Sequence, residues 1–295
     1  MWKYMNNKLA MSMVFALAAN QVAAADNVAA LLAAASRAGA YSAPAAPELK
    51  QAEALFQRCL VQCGDAQTVE QWRQLGFEVI QAVHGGRPLV LIREQGDARR
   101  GRGFYAFRPG SSSTTALQAP HSFKDEHTRQ ILLGLMAEGD FRAAAWNTVA
   151  RNYVADGVSV DADMAHLQDT YFLAFSRAVA RQFPSGKLVQ LHGFSKAKRS
   201  SEAGAGADII ISSGSKQQSP LLLAAGARLK RADFGTVLLY PTEVDELGAT
   251  TNTTGMALRA LGHAGFLHLE MNESTRLAIL NRPAVRASLI KCLEN

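Results

Sequence analysis

Short apolar segments alternate with helix-prone segments along most of this 295-residue chain, and this alternation limits the possible folds more than any other feature. The strand-like segments are, in chain order, Arg87–Glu94, Gly103–Pro109, Thr115–Pro120, Lys187–Gly193, Ala207–Ser213, Gly235–Pro241 and Gly265–Asn272. Strands that are apolar throughout are typical of a sheet that helices cover on both sides. The pattern predicts an α/β fold: a single three-layer domain with a mixed, largely parallel sheet.

Segments with apolar residues at helical spacing lie before and between these strands. We expect one amphipathic helix to begin at Leu49, and two more over Glu126–Glu138 and Met164–Phe183. The chain shows no internal repeat and no second domain boundary. Residues 49–295 are therefore predicted to form one domain, preceded by a helix and a Pro/Ala/Ser linker over residues 26–48.

The first 25 residues have the composition of a signal peptide. Lys3 and Lys8 precede or flank an apolar run that ends in small residues, and Ala23-Ala24-Ala25 fits a cleavage site before Asp26. The apolar run is shorter than the roughly 20 residues that span a bilayer. The sequence thus predicts export to the periplasm or the medium, and the alternative is an alanine-rich helix of a cytosolic protein.

Charge and cysteine content exclude some classes of function. The formal net charge of +6 is spread over short clusters such as Lys196–Arg199, without the dense basic stripe of a nucleic-acid-binding protein. Cys59 and Cys63 can form a local disulfide only if the segment is not a regular helix there, and Cys292 is an alternative partner. No Gly-x-Ser-x-Gly elbow, phosphate-binding loop or dinucleotide fingerprint occurs in a suitable context.

Three of the predicted strands have an ionisable residue at or just after their carboxyl ends. These residues are His121, His192 and Glu270, and ligands of open α/β sheets bind beyond the carboxyl ends of the strands. A catalytic zinc ion usually takes three protein ligands from His, Asp and Glu. His121, Glu126 and His192 are the predicted ligands of one zinc ion per chain, with Asp125 or His127 as alternatives to Glu126. Glu270 is then the predicted general base.

The segments "APHSFKDEH", "VQLHGF" and "LHLEMNESTR" occur in this order and resemble motifs of zinc-dependent amidohydrolases related to the metallocarboxypeptidases. That group includes N-formylglutamate amidohydrolase and poly-γ-glutamate hydrolases. The resemblance covers Ala119 to Arg276 and implies a zinc-peptidase type of fold, of the phosphorylase/hydrolase-like kind. The chain differs from the family in the loop after His121, where the bulkier residues 122–125 replace the glycines that are typical of the family.

The resemblance also implies a substrate with a free carboxylate. Arg276 matches the position of a carboxylate-binding arginine, and Asn147 and Arg151 are candidates for the same role. The predicted function is hydrolysis of an amide or peptide bond in a small peptide, an acyl-amino acid or a polymer. The alternative is a non-catalytic binding protein of the envelope on the same scaffold.

Other polar residues have simpler interpretations. His263 and His268 are expected at the surface or behind the metal ligands. The spacing of Asp163, His166 and Asp169 predicts the solvated start of a helix. The sequence His84-Gly85-Gly86 predicts a hairpin turn.

Overall fold

A computed structural model describes residues 27–36, 41–96, 99–155 and 157–294. The predicted signal peptide, residues 1–25, lies outside the described residues, as does the predicted cleavage site before Asp26. Helix α1 (Val28–Ala35) begins just after it and packs Val28 and Leu32 into the core. None of the helices within the described ranges is long and apolar enough to cross a membrane.

The remaining helices and strands follow in an order that alternates over much of the chain. The helices are α2 (Ala46–Val61), α3 (Ala66–Gln74), α4 (Thr128–Glu138), α5 (Tyr171–Gln182), α6 (Glu202–Gly206), α7 (Pro220–Arg231), α8 (Thr253–Ala260), α9 (Glu273–Asn281) and α10 (Pro283–Glu294). The strands are β1 (Phe77–His84), β2 (Arg87–Glu94), β3 (Phe104–Phe107), β4 (Thr115–Ala119), β5 (Ala143–Trp146), β6 (Asn152–Ala155), β7 (Val158–Asp161), β8 (Lys187–Gly193), β9 (Ile209–Ser212), β10 (Val237–Leu239) and β11 (Phe266–Met271).

Nine of these strands form one mixed sheet in the order β1-β2-β3-β5-β4-β8-β11-β9-β10. The four central strands β5, β4, β8 and β11 are parallel, whereas β1, β2 and β3 add an antiparallel edge. Strands β6 and β7 form a separate hairpin. The predicted α/β fold with a mixed sheet is confirmed. Since parallel strands end at the same edge, β4, β8 and β11 present their carboxyl ends together.

Helices cover both faces of this sheet and make it the middle of three layers. Helices α1, α4, α7, α9 and α10 share one apolar core with alternate strand residues such as Val189 and Leu267. Helices α2, α3, α5 and α8 share a second core with the residues between them, such as Leu188 and Phe266. Burial of both faces explains why the strands read as continuous apolar runs.

The second face is not apolar over its whole length. Beyond Ala116, Leu188 and Phe266, the side chains on this face of β4, β8 and β11 become polar but stay buried. They are Gln118, Gln190, His192, His268 and Glu270. Because strand side chains alternate between faces, the period of two collects these groups under α5 and α8. A buried polar column of this kind needs hydrogen-bond partners or a ligand to be stable.

The structure corrects one predicted helix. Helix α5 begins at Tyr171 with Thr170 as its N-cap, not at Met164. Asp163 is buried and accepts a hydrogen bond from the backbone N–H of Ala165, so the residues before Thr170 form a loop. An Asp that bonds the backbone two residues ahead competes with helix formation. Asp163 is thus not the solvated helix start that its spacing suggests.

The pairing of the cysteines follows from the local geometry of the chain. Cys59 and Cys63 form a disulfide with a Cα–Cα distance of 4.1 Å, which is possible because α2 ends at Val61. Cys292 is buried and forms no disulfide.

Gly85 and Gly86 both have positive φ and connect β1 to β2, which confirms the predicted hairpin turn.

Candidate metal centre

Three buried side chains from two segments converge at the carboxyl ends of β4 and β8. Asp125 Oδ2 lies 3.4 Å from His121 Nδ1 and 3.2 Å from His192 Nδ1. The two imidazole rings are 4.8 Å apart and nearly perpendicular. One ligand atom from each of the three residues can therefore face a common point, within 4.8 Å of the other two.

These distances fit a tetrahedral metal ion. Zinc binds His nitrogen and carboxylate oxygen at about 2.0–2.2 Å, which separates neighbouring ligand atoms by about 3.3–3.6 Å in a tetrahedron. The distances of 3.4 Å and 3.2 Å to Asp125 Oδ2 are close to this separation. Two imidazoles and one carboxylate are also a ligand set that zinc takes in catalytic sites with an open position. The residues present therefore fit a zinc ion.

A tight turn after β4 places the side chain of Asp125 next to that of His121. The backbone N–H groups of Lys124 and Asp125 both donate to the carbonyl of His121, so the chain makes one helical turn there. In such a turn the side chains at positions i and i+4 share a face, which places Asp125 beside His121. Glu126 lies one position further along the chain and lines the same pocket, but it is not grouped with the two histidines. The structure thus brings Asp125, and not the predicted Glu126, together with the two histidines.

Hydrogen bonds at the opposite side of each imidazole orient both rings. His121 Nε2 lies 2.8 Å from Asp163 Oδ1, and Asp163 Oδ2 in turn lies 2.6 Å from Arg151 Nε. His192 Nε2 lies 3.3 Å from Gln190 Oε1. Partners of this kind hold a metal-binding histidine in one orientation and one tautomer. In both residues they leave Nδ1 to face Asp125.

A chain of buried amides fixes the orientation of Gln190. Its Nε2 donates to Gln118 Oε1 at 2.9 Å, and Gln118 Nε2 donates to Ser176 Oγ at 2.9 Å. Gln190 Oε1 accepts from Asn252 Nδ2 at 2.8 Å. Because the amide oxygen of Gln190 can only accept, His192 must carry its proton on Nε2. The lone pair of His192 is then on Nδ1, where a metal ligand needs it.

The charges of the three residues are strongly coupled. Burial raises the pKa of Asp125, but the hydrogen bond with His121, followed by the other interactions with the two histidines, outweighs burial and holds that pKa well below its usual range. Burial lowers the pKa of His121, yet Asp125 and Asp163 together raise it to about 9. Burial lowers the pKa of His192. In the absence of a metal ion, a proton on His121 compensates the buried carboxylates, and a cation can take its place.

Glu270 lies beside this group at the end of β11. It is 8% exposed, and burial, followed by the charge of Asp125, raises its pKa to about 8. Its Oε2 atom is buried and has no hydrogen-bond partner among the described residues. Its Oε1 atom lies 3.7 Å from His268 Nε2, and the His268 ring lies 4.4 Å from the His192 ring. His192, His268 and Glu270 also form a second group with metal-ligand spacing.

Arg276 approaches the site from α9. Its Nε donates to the carbonyl of Glu126 at 2.7 Å, and its Nη1 donates to the carbonyls of Met271 and Phe194. Its Nη2 has no hydrogen-bond partner within the described part of the chain. Gly193 makes this arrangement possible, because a Cβ atom there would lie 2.4 Å from Arg276 Nη1. The glycine after His192 therefore leaves space for the guanidinium.

The other two predicted substrate-binding residues have different positions. Arg151 lines the pocket and pairs with Asp163. Asn147 is 1% exposed and its Oδ1 accepts from the backbone N–H of Val149, while its Nδ2 has no partner among the described residues. Asn147 is not among the side chains that line the pocket. The structure thus brings Arg151 to the site and leaves Asn147 in the loop behind it.

One pocket of about 600 Å³ joins the candidate metal ligands to Glu270, Arg151 and Arg276, which all line it. Its cationic side chains are Lys124, Arg151, Lys198, Arg199 and Arg276, and its acidic side chains are Asp125, Glu126, Glu270 and Glu273. Two non-glycine residues in its wall, Leu247 and Ala249, have positive φ. Backbone strain of this kind is common at ligand-binding sites.

Several residues of the site do not follow from the strand-end pattern. His268 is 4% exposed and stacks near His192, so it is not a surface residue, and His263 is buried against the carbonyl of Phe183. Gln190 and His268 could have been found from the alternation in "LVQLH" and "FLHLEM", which puts them on the face of His192 and Glu270. Asp163 had no such signal.

No protein-family model matches the sequence, and no curated protein matches it. Among solved structures, the chain is similar to a candidate metallopeptidase from Shewanella amazonensis (10% identity, 78% of this chain and 94% of that chain, TM-score 0.35). It is also similar to an N-formylglutamate amidohydrolase from Ralstonia eutropha (11%, 65% and 97%, TM-score 0.41). A third is a candidate carboxypeptidase from Burkholderia mallei (11%, 79% and 69%, TM-score 0.40).

At these identities and TM-scores, none of the three likenesses carries an argument about the function of this chain.

Proposed function

We propose that this protein is a zinc-dependent hydrolase of an amide or peptide bond. The observation that supports it most directly is the convergence of His121 Nδ1, His192 Nδ1 and Asp125 Oδ2 at tetrahedral ligand spacing. Glu270 lies next to them, a buried carboxylate of which one oxygen has no hydrogen-bond partner in the described part of the chain. Asp125 replaces Glu126 as the carboxylate ligand in this proposal.

The residues around the ion have separate tasks. When bound, zinc acts as a Lewis acid that polarises the scissile carbonyl and makes a water molecule more acidic. Glu270 takes a proton from the attacking water and returns it to the leaving amine. A pKa near neutrality suits both directions of this transfer, and burial gives Glu270 a pKa of about 8 before any ion is present. Asp163 and Gln190 hold the two imidazoles.

The substrate is proposed to carry a free carboxylate. The Nη2 atom of Arg276 has no hydrogen-bond partner among the residues that the structure describes, and the other donors hold the side chain in place against backbone carbonyls. An arginine held in this way loses little conformational entropy when it binds a carboxylate. Acyl-amino acids, small peptides and polymers with free carboxylates are therefore the compounds to test. Export through the signal peptide of residues 1–25 remains part of the proposal.

The test combines metal content with hydrolysis. The protein without residues 1–25 should bind about one zinc ion per chain at neutral pH, measured by mass spectrometry of the metal. It should hydrolyse members of a panel of N-acyl amino acids and peptides, and a chelator should abolish the activity. Zinc binding without any hydrolysis across the panel would favour the non-catalytic binding protein instead.

A further inference from the structure

His268 has no role in the reaction described so far, although it lies two residues before Glu270 on β11. Side chains of a strand alternate between its two faces, so His268 and Glu270 point to the same face. His268 is only 4% exposed, and it lines the pocket together with Glu270. A buried imidazole costs free energy unless its nitrogens have partners, and leucine would fill the same space without this cost. Packing alone therefore does not explain a histidine at this position.

The neighbouring strands do not supply a partner for His268. It lies opposite Gln190 on β8 and opposite Ser212 on β9. The side-chain amide of Gln190 bonds other buried side chains, and Ser212 Oγ donates to the carbonyl of Gly248 at 2.8 Å. Within the described ranges, His268 Nδ1 has no hydrogen-bond partner. Hydrogen bonding within the sheet thus does not account for this histidine either.

The carboxylate of Glu270 lacks a donor in turn. Its Oε2 atom is buried, and no residue that the structure describes forms a hydrogen bond with it. His268 Nε2 lies 3.7 Å from Glu270 Oε1, which is longer than a hydrogen bond. Hydrogen bonds at catalytic groups are often long in the free enzyme and shorten in the complex with substrate. His268 Nε2 is therefore a donor within reach of Glu270.

The ring of His192 limits how the ring of His268 can turn. The two ring centres are 4.4 Å apart, and the ring planes are inclined by 40°. The orientation of His192 is itself fixed by Gln190 and Asp125. A neutral imidazole donates from one nitrogen and accepts at the other, so a proton on Nε2 directs the donor of His268 to Glu270. A donor that is held in this way loses little conformational freedom when the hydrogen bond forms.

We propose that His268 is a positioning residue for Glu270: its Nε2–H donates to Glu270 Oε1 and holds the carboxylate beside the metal-ligand group. His268 acts through Glu270 and binds neither the metal ion nor the scissile bond. This inference rests on the proposed function, because it assigns a task within that reaction. The position of the Glu270 carboxylate can, however, be measured without turnover.

Two substitutions separate the donor of His268 from its packing. His268→Leu keeps an apolar side chain of similar size and removes the donor, whereas His268→Gln places an amide N–H at the same number of bonds from the backbone. On the best substrate, His268→Leu should lower kcat by about 10- to 100-fold and leave KM within about threefold, because a misplaced base slows only the chemical step. His268→Gln should restore kcat to within about fivefold of the wild type. Equal losses in both variants, or no loss in His268→Leu, contradict the inference.

Phe266→Leu is the matched control on the same face of β11. Phe266 lies two residues before His268, is buried in the second core and does not line the pocket. Its substitution should lower thermal stability and leave kcat unchanged. His268→Leu should leave thermal stability equal or higher, since it removes a buried polar group without a partner. A parallel fall of stability and kcat in His268→Leu would show a structural role and overturn the inference.

Crystal structures of the zinc-loaded protein test the position of Glu270 without turnover. Its carboxylate should lie in the same place in the wild type and in His268→Gln, and should turn away in His268→Leu. An unmoved carboxylate in His268→Leu overturns the inference whatever the activity. A moved carboxylate in a protein that hydrolyses nothing in the panel would contradict the proposed reaction and leave the positioning contact intact. Loss of a bound zinc ion in His268→Leu would make His268 a metal ligand with His192 and Glu270, and the positioning role would be wrong.

Discussion

Glu270 and His192 lie directly opposite each other on the neighbouring parallel strands β11 and β8. Because paired residues of parallel strands point to the same face, this register places the proposed general base beside a proposed metal ligand. No loop has to fold back to bring them together. Rigid strands hold both groups, which suits a site whose reacting atoms must keep fixed distances.

The register of β11 and β8 makes a prediction for Glu270. Glu270→Gln keeps the shape of the side chain but removes its ability to accept a proton. The variant should bind zinc like the wild type and lose about 10²- to 10⁴-fold in kcat. Metal content and initial rates on the best substrate measure the two properties. Loss of zinc in Glu270→Gln would instead assign Glu270 to the ligand group with His192 and His268.

Asp125 and Glu126 provide a direct comparison of neighbouring carboxylates. Asp125→Asn removes the charge of the residue that contacts both histidines, and zinc affinity should fall by at least about tenfold. Glu126→Gln is the matched control, and it should leave the affinity within about twofold because its side chain is not in the ligand group. Competition with a chromogenic chelator measures both. The opposite result would restore Glu126 as the ligand.

The choice between Asp125 and Glu126 shows what a sequence pattern cannot predict. His121, His192 and Glu270 follow from the position of apolar strands, since the ends of parallel strands meet at one edge. The conformation of the loop after His121 does not follow from that pattern. One helical turn makes Asp125 the neighbour of His121, and a looser loop would have allowed Glu126. Likewise, Asp163 reaches His121 only through a tertiary contact between distant segments.

Strand periodicity and strand pairing show a similar contrast. The predicted strand over Lys187–Gly193 agrees residue for residue with β8, because its apolar character reflects burial on both faces. Strand β5 has the sequence AAAW, and alanine carries no strong preference for strands. Its place in the sheet is decided by pairing with β3 and β4, which no local pattern contains.

Gln190 should affect metal binding without contacting the ion. Gln190→Leu removes the acceptor for His192 Nε2 and leaves the tautomer of His192 undetermined. Loss of such a partner typically lowers metal affinity by about 10- to 100-fold. His263→Gln serves as the control, since His263 is also buried but bonds the carbonyl of Phe183 away from the pocket. It should lower thermal stability only. Equal zinc affinity in Gln190→Leu and wild type would contradict the positioning role.

The stability of the metal-free protein should fall as the pH rises from about 6.5 to about 9. The pKa of His121 is raised to about 9 and that of Glu270 to about 8. In this interval the folded protein therefore holds protons that the unfolded chain has released, and the free energy of unfolding decreases with pH. Below about 6.5, stability should instead rise with pH. Burial lowers the pKa values of His192 and His268, so the unfolded chain binds more protons at these two residues, and together they outweigh the one proton that Glu270 still holds in the folded protein.

Denaturant unfolding in the presence of a chelator measures how the stability of the metal-free protein depends on pH. Values from about 5.5 to about 9 are used because they extend to both sides of the usual pKa of histidine. Stability should be greatest near the middle of the range. With zinc bound, the decrease on the alkaline side should become smaller, because the ion takes the place of the proton on His121 and binds more tightly as competing protons leave. His121→Asn should flatten the alkaline side of the metal-free curve. A metal-free protein that gains stability between pH 7 and 9 would show that His121 does not hold its proton between Asp125 and Asp163.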